Sequence, residues 1–539
     1  MTKIIELSTL GADRYTEEFN TSPLVARVLA ANEVSIQNAK QLFFPTPRQR
    51  CDDARFIEAT RIIRESITQG NKIMVCGDYD ADGLCATSIL VLTLRKLGAD
   101  VGFYIPDRFN EGYGLSVETV RKAIAKGYKL FITVDNGVSA FEALACIREN
   151  NATVLVVDHH EMTQEVPCDI LIHPSLLEER YANMCGSGLA LQLAEHLIGV
   201  DDYITTLAGI ATVGDMVDLW GENRRIVIDA LVKLNEHRFP TIEALMEKPV
   251  ERYDEETLAF QIVPKLNVAG RLADVANANR IVDYLCSITV PDIEASSKQI
   301  IALNQKRKQL SQSMYDTARS LNAVGNVVVL THHSFHEGIV GITAGRLARE
   351  IGRPVFVFAE KGESLKGSAR SVTDVDLREL TSDVQSLCIR YGGHAMAAGL
   401  EIRKEDLGLF IDGLKGKADL IDWTNAMETL AILRLEKENV NKEDFFELLK
   451  LGPFGSGFPM PLIRFDRCEV VSFKEFSANF RKWQLRWGSI EFEAVDFGEP
   501  KSDYDARSTL LDVIGKVKIE RFRNREKLSI LVELVGQSL

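Results

Sequence analysis

The chain has 539 residues, 46% apolar and 26% charged, with a formal net charge of −14. That length is too great for one hydrophobic core and implies about three or four domains, in a composition ordinary for a soluble globular protein. The acidic balance argues against a general nucleic-acid coat protein, though not against a nuclease whose positive charge is local.

The charge is uneven: residues 460–539 hold 14 Lys+Arg and 13 Asp+Glu, a net of +1, which leaves −15 for the rest. No run of about eighteen apolar residues is present, so no membrane span is expected. The opening Met-Thr-Lys-Ile-Ile-Glu-Leu lacks the pattern of a secretory signal. The nine cysteines are scattered and none forms Cys-x-x-Cys. That argues for reduced thiols in a cytoplasm and against a zinc ribbon.

Residues 1–50 read as a helical preface, with Leu24, Val28, Leu29 and Ala31 on one amphipathic helix. No chemistry is visible there. From about 51 to 220 helix and strand alternate, the signature of a parallel sheet. Ile73, Met74 and Val75 end a buried strand, and an apolar helix-forming run follows Gly83 as far as Leu97. Between them Asp78, Asp80 and Asp82 sit on a turn at the carboxyl end of the strand, where open α/β sheets bind ligands. Three acids within five residues repel one another unless a cation lies between them. The plain alternative is a solvated acidic turn. A calcium-binding EF-hand loop fails on both flanks: position twelve from Asp78 is Ile89 rather than Glu, and a strand precedes rather than a helix.

Two more strand-like runs end in polar clusters. One is Leu130-Phe-Ile-Thr-Val134 before Asp135-Asn136-Gly137, and the other is Val154-Leu-Val-Val157 before Asp158-His159-His160. A fourth run, Leu207 to Val213, leads into Gly214-Asp215-Met216-Val217-Asp218. The set Asp80, Asp82, Asp135, His159 and Asp215 is a metal-site candidate of hard oxygens plus imidazole. It suits Mn²⁺ or Mg²⁺ better than copper or structural zinc. Four carboxylates exceed the need of one divalent ion, whereas two ions about 4 Å apart with a bridging carboxylate would neutralise them. Singly, a strand-end Asp is usually a helix cap.

Gly77-Asp-Tyr-Asp-Ala-Asp-Gly83, Val134-Asp-Asn-Gly137 and Val157-Asp-His-His160 resemble the first three motifs of the DHH phosphoesterase superfamily. Arg108-Phe-Asn-Glu-Gly-Tyr-Gly-Leu-Ser116 and Pro264-Lys-Leu-Asn-Val-Ala-Gly-Arg-Leu272 narrow the resemblance to the RecJ family of bacterial single-strand-specific DNA exonucleases, over nearly the whole chain. The resemblance implies that Asp80 and Asp135 hold one ion. Asp82, Asp135, His159 and Asp215 would hold the other, with Asp135 bridging. It places His160 beside the site, steering the scissile phosphate or helping proton transfer, and puts Asp78 behind the ligands. One departure stands out: many members carry His where this chain has Cys76, and that His is a ligand in related phosphoesterases. Cys76 reads as a buried apolar residue, because hard ions seldom recruit thiolate.

Residues 221–290 read as mostly helical, with Arg271 in a polar loop, and 292–322 as one long helix bearing Lys306-Arg307-Lys308. Residues 323–415 form a second α/β unit, similar to the DHHA1 domain that accompanies DHH domains and grips substrate. Lys366-Gly-Ser-Ala-Arg-Ser371 and Gly392-Gly-His-Ala-Met-Ala-Ala398 offer Ser368, Arg370 and His394 as substrate contacts, since an Arg fork matches phosphate. Arg108, Arg271, Ser368 and Arg370 together suit a terminal 5′-phosphate. Residues 416–455 look helical. After the breaker-rich Gly452-Pro-Phe-Gly-Ser-Gly-Phe-Pro459, five short strands suggest an OB-like barrel. Phe480, Trp483 and Trp487 interleave with Arg481, Lys482 and Arg486, so aromatics either stack on bases or fill the barrel.

The expected fold is thus α/β. A helical segment (1–50) precedes a DHH parallel-sheet catalytic domain (51–291). A connecting long helix (292–322) leads to a DHHA1 substrate-binding domain (323–415), and a helical joint with an OB-like nucleic-acid-binding β-barrel (416–539) ends the chain. The expected activity, direction and substrate come from the resemblance: two-ion (Mn²⁺ or Mg²⁺) 5′→3′ hydrolysis of single-stranded DNA to 5′-mononucleotides, in recombination and in repair including mismatch repair. Single-strand-binding protein and a helicase are the implied partners. The alternatives are a small-substrate DHH hydrolase acting on oligonucleotides, cyclic dinucleotides or pyrophosphate, and a binding scaffold with a decayed site.

Overall fold

The computed structural model describes residues 3–537 apart from 113, 323, 373–374, 422, 424–428, 478–479, 498–508 and 523–524. Tyr113 of the 108–116 motif lies outside the described residues. The chain opens with β1 (Lys3–Glu6) and three helices, Asp13–Phe19, Pro23–Ala31 and Ile36–Phe43. Ser22 and Ser35 cap the last two through their side chains. The expected helical preface therefore also contributes a strand.

Next comes a five-stranded parallel sheet: β2 (Lys72–Cys76), β3 (Val101–Tyr104), β4 (Tyr128–Val134), β5 (Thr153–Val157) and β6 (Ile170–Ile172), in the order β3-β2-β4-β5-β6. Helices cover both faces, which is why the strands read as apolar runs rather than alternating ones. Along β2, Ile73 and Val75 join one buried cluster with Leu84, Ile89 and Leu207, while Met74 and Cys76 join another with Phe131 and Val154. Helix Ala81–Lys96 lies almost wholly inside the first cluster. The run from Leu207 is part of helix Asp202–Gly214.

The expected connecting helix spans Val290–Ser320. It leads into β7 (Val328–His332), helix Val340–Ile351, β8 (Val355–Lys361), β9 (Ser364–Arg370), β10 (Cys388–Gly393) and β11 (Ala397–Arg403). These strands form a second sheet, β10-β11-β9-β8-β7, parallel only between β7 and β8.

The region 416–455 departs from the helical expectation. Between helices Leu407–Ala418 and Lys442–Lys450 lies β12 (Thr429–Arg434). It pairs in parallel with β1 on one side and with the start of β13 (Leu462–Ser477) on the other. β13 continues into β14 (Phe480–Trp487), β15 (Ile490–Phe497), β16 (Leu510–Phe522) and β17 (Arg525–Gln537). The order β13-β14-β15-β17-β16 closes on itself through β13–β16 pairing, giving a five-stranded barrel. Its core is continuous with the N-terminal helices: Leu24, Val28 and Leu29 share one buried cluster with Phe445, Phe465 and Trp483. The first and last parts of the chain thus form one unit.

Candidate active site

The first three polar clusters converge at the carboxyl ends of β2, β4 and β5. Asp80 caps helix Ala81–Lys96, its Oδ1 accepting from the amides of Asp82 (3.0 Å) and Gly83 (3.1 Å). Asp82 is buried, and its two oxygens accept from the amides of Gly186 (2.7 Å) and Ser187 (2.8 Å) at the start of helix Gly186–Ile198. A Cβ on Gly186 would lie 2.7 Å from that of Asp135, so only glycine lets this helix start come so close. Asp135 follows β4 with φ +57, a left-handed backbone seldom adopted by a side-chain-bearing residue and held here by burial.

His159 Nε2 lies 3.1 Å from Asp135 Oδ1, 3.7 Å from Asp215 Oδ2 and 3.8 Å from Asp82 Oδ2. Three overlapping groups each place their ligand atoms within 4.8 Å of one another: Asp78, Asp80 and Asp135; Asp82, His159 and Asp215; and Asp135, His159 and His160. Asp135 belongs to two of the three. Negative charge is concentrated in this space. Burial, then the neighbouring carboxylates, hold Asp135 and Asp78 well above the usual carboxylate range. The same causes raise Asp80 and push Asp215 up to about 8. Asp78 Oδ1 is buried with no hydrogen-bond partner among the described residues. A cluster of hard oxygens and an imidazole with an orphaned buried oxygen is what one or two divalent cations would satisfy. His159 is held below its usual range by burial, which leaves its imidazole neutral and able to ligate.

One residue stands nearer than the sequence implies, and two more contribute that it does not single out. Asp78, read as lying behind the ligands, stands among them. Asp158 is buried and accepts from His160 Nδ1 at 2.8 Å. Burial opposes the charge of both, but this bond wins: His160 is raised and Asp158 lowered. Asn267 Oδ1 accepts from the Ala81 amide at 2.7 Å and so steadies the turn that carries Asp80 and Asp82. The signals were present, since Asn267 lies inside a quoted motif and Asp158 directly precedes the paired histidines. Cys76 belongs to no ligand group among the described residues; burial pushes its thiol up to about 12.

Beside the acids stands a group of cations. Arg108 lies over the Tyr79 ring, 5.1 Å from its centroid. Arg271 is pulled down to about 10 by burial and by the charges of Arg108 and Arg370, while Asp80 acts in the opposite sense. Arg307 of the long helix also acts on Arg271. Arg370 Nη1 donates to Ser368 Oγ at 2.9 Å. These arginines come from both α/β units, and no ion pair to a carboxylate is found for Arg108, Arg271, Arg307 or Arg370 among the described residues. His394 is different. It is exposed at the β10–β11 turn, and only its backbone bond to Ala397 (2.8 Å) is described.

On the barrel, the two roles open to the aromatic residues divide among them. Trp483 and Trp487 are fully buried in the barrel core. Arg481 is buried against Asp496 at 2.8 Å, Lys482 pairs with Glu493, and Arg486 pairs with Glu491 at 2.7 Å. Along β14 the odd positions face inward, so the tryptophans fill the barrel and the cations are neutralised. Among the described residues, Phe476, Phe480 and Phe497 stack outside the core, Phe480 lying 4.9 Å from Phe497 and 4.8 Å from Phe476.

Comparison with known proteins agrees with this architecture. The DHH family N-terminal domain matches residues 72–214, the DHHA1 domain 324–418, and the RecJ OB domain 433–533. The single-stranded-DNA-specific exonuclease RecJ of Bacillus subtilis (strain 168) is 31% identical over 96% of this chain and 68% of its own length. The same-named protein of Haemophilus influenzae is 30% identical over 89% and 90%. The crystal structure of RecJ in complex with Mn²⁺ from Thermus thermophilus superposes with a TM-score of 0.83 at 25% identity, covering 100% of this chain and 79% of that one. With the acidic cluster at the strand ends, the second α/β unit and the closed barrel all in the matching order, the chain belongs to the RecJ family of single-stranded-DNA-specific exonucleases.

Proposed function

We propose that this chain is a metal-dependent 5′→3′ exonuclease that hydrolyses phosphodiester bonds of single-stranded DNA and releases 5′-mononucleotides. The observation that carries the reading is the juxtaposition of a crowded carboxylate–imidazole cluster with a group of arginines that have no carboxylate partner among the described residues. In this reading Asp80 and Asp135, joined by Asp78, hold one Mn²⁺ or Mg²⁺; Asp82, Asp135, His159 and Asp215 hold the second. Bound there, the ions supply an activated water and neutralise charge on the phosphate.

The protein's own groups do the rest. Asp158 accepts from His160 Nδ1 and favours the charged ring, whose Nε2–H in this reading faces the scissile phosphate and can hold it or deliver its proton. Arg108, Arg271 and Arg370, with Ser368, grip a terminal phosphate across the cleft and seat the first phosphodiester over the ligands, which accounts for release of one nucleotide at a time. His394, at the rim of the second α/β unit, contacts the strand further along. A cavity of about 1700 Å³, lined by Met216, Asn267, Arg271 and Phe454 among others, runs from beside this site toward the barrel.

The domain division at 1–50, 51–291, 292–322, 323–415 and 416–539, with the first and last packed as one unit, goes with this reading, as does work in DNA recombination and repair in the cytoplasm beside single-strand-binding protein and a helicase. The family resemblance supports these assignments. The decisive experiment compares kcat/KM on 5′-phosphorylated and 5′-hydroxyl strands for wild type and Arg370→Ala. The variant is expected to lose far more on the phosphorylated strand, by about 1.5–3 kcal/mol for the lost charge-assisted contact. Equal loss on both strands would place Arg370 on internal phosphates or in the fold.

A further inference from the structure

We infer that the turn at 455–458, where the barrel begins, is a positioning element for Asp215, so that the barrel's attachment sets the affinity of the metal centre. The inference rests on the metal-dependent reading above.

Asp215 ends helix Asp202–Gly214 as its C-cap, and the chain then crosses to helix Gly221–Glu236 through five residues, 216–220. The first of these, Met216, has φ +59 and is 78% exposed. A left-handed backbone at a side-chain-bearing residue persists only where its surroundings over-determine it, and an exposed methionine cannot do that itself. The constraint comes from the far side of the loop. The Leu219 amide donates to the Ser456 carbonyl at 2.9 Å, and Ser456 Oγ donates to Asp218 Oδ1 at 2.6 Å. Trp220 Nε1 donates to the Gly457 carbonyl at 3.1 Å, and its ring lies 5.5 Å from that of Phe458. The Leu219 side chain is buried against Gly455, where a Cβ would lie 2.7 Å from it. Three consecutive residues of the loop are therefore tied to one turn of the barrel domain.

That turn is itself rigidly anchored. The Gly455 and Phe458 backbones bond each other in both directions. Arg224, buried, donates to the carbonyls of Leu451 and Pro453, and Glu255 accepts from the Phe454 amide at 2.9 Å. If the turn were released, Met216 could relax toward ordinary backbone angles. The Asp215 carboxylate, one residue before it, would then move from its place 3.7 Å from His159. Another barrel contact, Lys518 to Glu256, does not touch the loop and supplies the control.

The test measures Mn²⁺ binding by calorimetry on the full-length chain, alongside thermal melting and hydrolysis of a short 5′-phosphorylated strand. Ser456→Ala is expected to weaken Mn²⁺ binding about threefold to tenfold with little change in melting, and Ser456→Thr, which keeps the hydroxyl, to restore it. Gly457→Ala, whose Cβ would meet Trp220 Nε1 at 2.8 Å at φ +76, is expected to weaken it further. Lys518→Ala is expected to leave Mn²⁺ affinity unchanged. In the short-strand assay, saturating Mn²⁺ should recover most of kcat for Ser456→Ala. Wild-type Mn²⁺ affinity in both Ser456→Ala and Gly457→Ala would overturn the inference and leave the nuclease reading standing. Absence of Mn²⁺ binding and hydrolysis in the wild-type chain would overturn the nuclease reading, and the inference with it.

Discussion

Asp135 is the residue on which the two proposed ion sites meet, and its environment makes it the least replaceable. Asp135→Ala is expected to remove hydrolysis at any Mn²⁺ concentration while leaving the fold intact, because deleting one of several mutually repelling buried acids relieves strain. Near-normal turnover at saturating Mn²⁺ would refute the shared-ligand arrangement. Asp215 offers a test by pH. Its carboxyl lies at about 8 in the folded chain, above the ordinary 3.8, through burial and then the charges of Asp82 and Asp80. A carboxyl raised on folding binds more protons in the native state between those two values, so metal-free stability falls as pH rises through that window. The melting temperature of the metal-free chain should therefore drop from about pH 5 to about pH 8, less steeply in Asp215→Asn, and Mn²⁺ should remove the slope. A flat wild-type profile would show that the carboxylates are not strained. Cys76 sits in an apolar cluster, so Cys76→Ala should cost about 1 kcal/mol of stability and leave Mn²⁺ affinity unchanged.

At the scale of elements, the barrel strands separate two roles that the sequence had left mixed. β14 places Trp483 and Trp487 inside and Phe480 outside. Trp483→Ala should cost about 3–5 kcal/mol and loosen the barrel, as a large core truncation does. Phe480→Ala should leave melting nearly unchanged and raise KM for long strands more than for short ones, since a stacking contact remote from the cleaved bond adds binding alone. Equal KM effects on long and short strands would remove Phe480 from the strand's path. The alternation of indoor and outdoor residues was legible once β14 was recognised as a strand. Its phase is legible too, since 483, 485 and 487 are Trp, Leu and Trp while 482, 484 and 486 are Lys, Gln and Arg; what barrel closure through β13–β16 pairing adds is that Arg481 and Phe480, which break that pattern, end up inside and outside respectively.

For the whole molecule, the join between the two ends of the chain changes what a truncation means. The N-terminal helices share the barrel's core, and β1 pairs with β12. Removing residues 1–50 should therefore expose the barrel to proteolysis rather than trim an idle preface. A cut near residue 455 would also strip the contacts around 216–220, so it should raise the Mn²⁺ requirement on short strands as well as weaken long-strand binding. A barrel domain that stays protease-resistant without residues 1–50 would contradict the shared core.

The sequence by itself determined the α/β class, the acids at three strand ends, the second α/β unit and the closing barrel, because these are written in local periodicity and in motifs a few residues long. Tertiary structure alone decided that Asp78 stands with the candidate ligands, that Asp158 governs His160, that Arg307 joins the three arginines already expected together, and that residues 1–50 belong to the barrel. Each of these depends on contacts between residues far apart in the chain, where neither spacing nor hydrophobic pattern carries information about which surfaces meet.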